Sequence, residues 1–165
     1  AADPPMIMYA TNGKQPMGGH KDTITNIRDN GEFVVNIVSY EAKDKMNETT
    51  APFNPNESEV DIAKLEILES KLISPARLAI SPIHMECKLY KIIDLPTLKS
   101  NEYNGMVLGH VVGIHINDEV LEDGKVDLKK IRPLSRLGYL DYSIVDNIFE
   151  MHRPEGSPRP DQVKK

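Results

Sequence analysis

Apolar residues fall in short blocks separated by stretches rich in Gly, Pro and Asn, a pattern that predicts several brief strands and few long helices. Residues 6–10, a short apolar run behind Pro4 and Pro5, read as a buried strand. Residues 11–20, with Gly13, Gly18 and Gly19, read as a loop. Ile24 and Ile27 then stand at helical spacing, so a short helix is predicted over 22–30, stopped by Gly31. Residues 33–38 are apolar and β-branched and predict a second buried strand. A short helix over 41–49 and a loop over 51–57 follow. Ser58-Glu59-Val60-Asp61 resembles a capping box opening another short helix through Ile62, Leu65 and Leu68.

The clearest strand covers residues 83–89. Ile83, Met85, Cys87 and Leu89 alternate with His84, Glu86, Lys88 and Tyr90, which predicts one apolar face and one wet face. A polar connection over 96–105 leads to a second long strand over 106–116, and the pattern predicts that the two form an antiparallel hairpin. Gly109 and Gly113 inside that strand mark bends or close backbone approaches. A helical turn over 128–131, an irregular stretch over 134–142 and a final strand or short helix over 143–151 complete the domain. Its expected extent is 1–153, with 154–165 an extended Pro-rich tail.

Composition narrows the partners more than the fold. The 165 residues are 39% apolar and 27% charged, which suits one soluble globular domain. A net charge of −5, with scattered Lys and Arg, argues against nucleic acid and anionic membrane surfaces. No apolar run approaches a membrane span and no secretory segment is evident, so a cytoplasmic location is expected. Cys87 is the single cysteine, which excludes an intramolecular disulfide; its place in an apolar alternation predicts a core residue.

Candidate chemistry centres on Lys21-Asp22-Thr23 at the start of the first helix. Free N–H groups and the helix dipole favour an anion there, Lys21 adds a charge and Thr23 a hydroxyl. The plainer reading is an ordinary surface helix with Asp22 as its N-cap. The five histidines show no metal-ligand spacing: His84 and Glu86 read as solvated and His115 as a core histidine with one hydrogen-bond partner. No metal site is expected. Nucleophile-elbow, phosphate-loop and dinucleotide fingerprints are absent, which suits an enzyme whose cofactor performs the chemistry.

Ordered segments through most of the chain resemble the flavin reductase-like family of FMN-binding split-barrel proteins. They are Asp3-Pro4-Pro5-Met6-Ile7-Met8, Lys21-Asp22-Thr23 with Asn26-Ile27, and the run from Gly31 to Ser39. Ser81-Pro82, Glu86-Cys87-Lys88-Leu89, the run from Gly109 to Ile116 and that from Arg132 to Gly138 continue the match. The resemblance implies a mainly β fold with short helices (α+β): a split β-barrel, antiparallel and of Greek-key type, that forms a homodimer with FMN near the interface. It implies flavin contacts from Thr11, Asn12, Gly13, Lys21, Asp22 and Thr23, with Arg136 and Tyr142 near the ring or the partner subunit.

The activity implied is NAD(P)H-dependent flavin reduction, hydride passing from NADH or NADPH to FMN, with FAD a further possible flavin. The alternatives are a non-enzymic electron-transfer flavoprotein serving a protein electron acceptor, and a flavin-free dimeric interaction module. Two departures from the family pattern stand out. Strands that the family has before Asp-Pro-Pro are missing, so the domain is expected to be N-terminally incomplete, and residues 14–20 make a longer loop than usual.

Overall fold

The computed structural model describes residues 2–13, 19–54, 57–98, 102–151 and 154. The chain runs through β1 (Met6–Asn12), α1 (Asp22–Asn30), β2 (Glu32–Asn36), a 3₁₀ turn (Tyr40–Ala42) and α2 (Lys43–Glu48). It continues with α3 (Glu59–Ile62), β3 (Ile67–Leu68), β4 (Arg77–Leu78), β5 (Ile83–Asp94) and β6 (Asn104–Ile116). A second 3₁₀ turn (Asp118–Val120) precedes β7 (Leu121–Glu122), β8 (Lys125–Val126), α4 (Leu128–Ile131), β9 (Leu134–Arg136) and β10 (Tyr142–Ile144).

Four strands form the main sheet in the order β1-β6-β5-β2, every neighbouring pair antiparallel. The β5–β6 hairpin is its spine, and β1 and β2 flank it. α1 covers one face, for the reason its spacing gave: Ile24 and Ile27 fall on one side of the helix and are 0% and 2% exposed. They pack with Phe33, Cys87, Val107 and Val111 in the core. Full burial of each such isoleucine is worth about 1.5–3 kcal/mol. Gly31 ends α1 as predicted, adopting φ +71° and donating its N–H to the Ile27 carbonyl at 3.0 Å.

The glycines within β6 are close approaches. A Cβ on Gly109 would collide with the Phe33 ring, and one on Gly113 would come within 2.9 Å of Leu72. Cys87 lies in the core as expected, and burial pushes its thiol pKa up to about 11.

One expectation fails instructively. His84 and Glu86, read as members of a wet face, are 4% and 0% exposed. Alternation along β5 holds, but the face carrying His84 and Glu86 is covered: Glu86 accepts the Lys71 and Leu72 N–H groups and His84 meets the Leu78 carbonyl. Glu86 and Cys87, adjacent in sequence, are both buried, Cys87 in the core with Ile24 and Ile27 and Glu86 under Lys71 and Leu72. A shift in the pairing of β5 with β6 between Leu89 and Lys91 leaves Tyr90 exposed.

Other corrections are local. β1 extends through Thr11 and Asn12, which were assigned to the loop, and β2 ends at Asn36. The N-cap half of the capping box forms, Ser58 Oγ accepting the Asp61 N–H at 3.3 Å, but α3 ends at Ile62 and Ile67–Leu68 pair as a strand with Arg77–Leu78. The stretch over 134–142 holds β9 and the start of β10, which pair as a hairpin, and residues 145–151 form neither strand nor helix. Of the proposed tail, Pro154 is exposed and 155–165 lie outside the described residues.

Candidate functional site

β1 delivers Thr11 and Asn12 to one end of the sheet, where they pair with Gly105 and Asn104 of β6. Thr11 is buried and Asn12 exposed. Gly13 follows at φ +82°, a left-handed conformation that suits glycine, and donates its N–H to the Tyr103 carbonyl at 3.0 Å. A Cβ built there would stand 3.8 Å from Cε of Lys21, so the lysine side chain lies across from this bare stretch of backbone. The end of β1 and the start of α1 thus meet at one corner.

Lys21, not Asp22, is the N-cap residue. It has the extended backbone a cap requires (φ −61°, ψ 145°), whereas Asp22 is already the first helical residue, and no side chain caps the helix. The Lys21 carbonyl accepts the Ile24 and Thr25 N–H groups at 3.1 and 3.2 Å. Asp22 therefore contributes a first-turn carboxylate and not a capping bond. Lys21 and Thr23 are exposed. An ammonium, a hydroxyl and an uncapped helix start beside glycine backbone form a donor set that fits a phosphate group.

Sequence reading missed the residues that brace this corner. The Arg28 guanidinium lies over the Tyr103 ring, 5.0 Å from its centroid, and donates to the Tyr103 hydroxyl at 3.0 Å. That hydroxyl donates to Asp94 Oδ1 at 2.9 Å, and Arg28 approaches the same carboxylate at 3.5 Å. His20 meets the Tyr103 ring edge-on at 4.5 Å between centroids. Burial, then the hydrogen bond to Asp94, raises the Tyr103 pKa. The available signal was a lone tyrosine two residues before Gly105: a Cβ on that glycine would strike the Tyr103 ring and hydroxyl.

Arg136 and Tyr142 are brought to each other but not to this corner. They pair across the β9–β10 hairpin, the guanidinium 5.8 Å from the Tyr142 ring centroid, and Arg136 also donates to the Tyr139 carbonyl at 3.2 Å. The hairpin joins the sheet where Ser39 bridges Pro133, just beyond β2, whose last residue Asn36 pairs with His84. The Lys21 corner lies at the other end, where Asp94 pairs with Gly105. Next to the hairpin, a groove of about 370 Å³ is lined by Tyr40, Lys43, Met46, Leu134 and Tyr142.

The far end of β5 and β6 holds a buried polar cluster. Glu86 accepts the N–H groups of Lys71 and Leu72 at 2.8 and 2.7 Å and a hydrogen bond from His115 Nε2. Burial alone would raise the Glu86 pKa, but the Lys71 N–H, His115 and the Leu72 N–H together hold it below its ordinary 4.5. His115 is partly buried with Glu86 as its partner, as the sequence suggested. His84 Nε2 meets the Leu78 carbonyl at 2.8 Å, which makes it the protonated nitrogen, and burial lowers the His84 pKa. Among the described residues, no three or more His, Cys, Asp or Glu side chains gather as a metal site.

Comparison with known proteins decides the lineage. The flavin reductase like domain matches residues 1–141. The chain belongs to this family. A protein of Halalkalibacterium halodurans is 34% identical over 153 residues, covering 93% of this chain and 73% of that protein. Nitrilotriacetate monooxygenase component B from Bacillus cereus is similar in structure at a TM-score of 0.81 and 34% identity, covering 92% of this chain and 74% of its own. A Shewanella frigidimarina protein described with a split barrel domain, 22% identical, shares the fold at a TM-score of 0.77 over 93% of this chain and 73% of its own. The fold is therefore the mainly β split barrel of flavin reductase-like domains. Among the described residues, no helix is long and apolar enough to cross a membrane.

Proposed function

We propose that this chain is an FMN-binding flavoprotein that acts as an NAD(P)H-dependent flavin reductase. The observation that carries the reading is the meeting of Lys21 with Gly13 at the uncapped start of α1, within a flavin reductase-like domain. Lys21 would neutralise a flavin phosphate, Thr23 would donate a hydroxyl, and Thr11, Asn12 and Gly13 would form the backbone wall beside it. Asp22, in the same turn, takes no part in capping and points to a weaker contribution. When bound, FMN supplies the acceptor for a hydride from NADH or NADPH. The residues of this corner bind and orient; none is asked to make or break a bond.

A homodimer belongs to the same reading. Leu137, Tyr139, Leu140, Phe149 and Met151 are each more than half exposed, and such a concentration of apolar surface favours association with a second copy. Arg136 and Tyr142, remote from Lys21 within one protomer, would then serve the flavin of the partner subunit. Steady-state oxidation of NADH and NADPH with added FMN tests the activity. A flavin-dependent rate with at least one nucleotide is expected; none with either overturns it.

A further inference from the structure

The far end of the sheet carries a second feature that the flavin reading leaves unused. A cavity of about 510 Å³ opens there, within the size range of small-molecule sites, and two sides of different chemistry face it. Lys71, Arg77, His84 and His115 supply the polar side, and Leu68, Ile114 and Ile116 the apolar one. Ile114 is 58% exposed on the sheet, although it occupies a central strand.

The polar side is built, not scattered. Arg77 is fixed by donating Nε and Nη2 to the Glu69 carbonyl at 3.2 and 2.8 Å. Lys71 is placed by its own backbone N–H, which is tied to Glu86 at 2.8 Å. The His115 ring is held by Nε2 on the same carboxylate. His84 Nδ1 is buried without a hydrogen-bond partner among the described residues. Glu86 is the acid closest to this set, but its oxygens are occupied by two N–H groups and an imidazole, and it has no exposed surface. None of the residues lining the cavity is acidic; Glu69, Asp118 and Glu119 lie within two residues of the lining positions Leu68 and Asn117, and Glu119 accepts from Asn117 at 3.4 Å. Lys71 and Arg77 therefore face the cavity with no carboxylate in its lining.

We propose that this cavity is a binding site for a small organic anion: an oxyanion head held by Lys71, Arg77 and His115, and a flat apolar body laid on Ile114 and Ile116. The pairing of cations with an exposed aliphatic wall selects this class over a bare inorganic ion, because each half of the ligand meets matching chemistry. The site is separate from the Lys21 corner, at the opposite end of β5 and β6.

Histidine Cε1–H resonances of the full chain, followed by NMR at fixed ionic strength, test the proposal. Benzoate and phenyl phosphate are the probes, distinguishing carboxylate from phosphate, with benzyl alcohol and inorganic phosphate as half-ligand controls. A saturable shift of the His115 resonance is expected with at least one probe, at an affinity fivefold or more above either control. Lys71→Met should weaken that binding fivefold or more, and Lys129→Met, which removes a charge elsewhere, should not. No saturable His115 shift with either probe, equal response to a control, or equal loss in both variants would overturn it.

Discussion

A carboxylate without exposed surface persists only when its oxygens are occupied, and the Glu86 oxygens accept two backbone N–H groups and a histidine. Its pKa lies below the ordinary 4.5, so its contribution to stability is complete above about pH 4.5 and is lost as pH falls through the lower folded value. Glu86→Gln should cost about 1.5–3 kcal/mol at neutral pH, in line with charge-assisted bonds. In urea unfolding the gap between variant and wild type should narrow as pH falls below 4.5; a gap independent of pH would refute the assignment. At the other end of the sheet, Lys21→Ala should weaken FMN binding tenfold or more, read by flavin fluorescence. Lys21 was legible in the sequence because helix spacing and a glycine loop bracket it. Glu86 was not: the segment that covers its face, through Lys71 and Leu72, leaves no trace in the alternation of one strand.

Elements follow the same division. β5 was readable because its alternation repeats several times, β6 from its long apolar run, and α1 from Ile24 and Ile27 with Gly31 as the stop. β3, β4 and the β9–β10 hairpin were not, since strands of two or three residues carry too little periodicity to register. Gly109 reads in the sequence as a bend or a close approach, and the structure selects the second and supplies the neighbour, Phe33, itself 7% exposed and in the core. Gly109→Ala should therefore destabilise the domain by about 1–3 kcal/mol through overpacking. Thermal or urea unfolding measures this, and a neutral result would mean that the Phe33 ring moves aside freely. The Tyr103 brace shows the limit of local reading, because Arg28, Asp94 and Tyr103 converge only once β5 and β6 pair.

At the scale of the molecule, two ends of one sheet carry different chemistry. The Asp94 end gathers Gly13, Lys21 and the tyrosine brace; the Ile83 end gathers the Glu86–His115 pair and the cationic cavity. The chain spans 73% of the length of the similar protein of Halalkalibacterium halodurans and 74% of that of Bacillus cereus. The residues proposed to hold the flavin phosphate, Thr11, Asn12, Gly13, Lys21 and Thr23, are among those described, which opens them to direct test. FMN differs from riboflavin by the phosphate alone, so titration of the purified chain with each, read by quenching of flavin fluorescence, isolates that contact. FMN should bind at least tenfold more tightly than riboflavin. Equal affinity for the two, or no binding of FMN, would contradict the flavin-phosphate role of Lys21 and its neighbours.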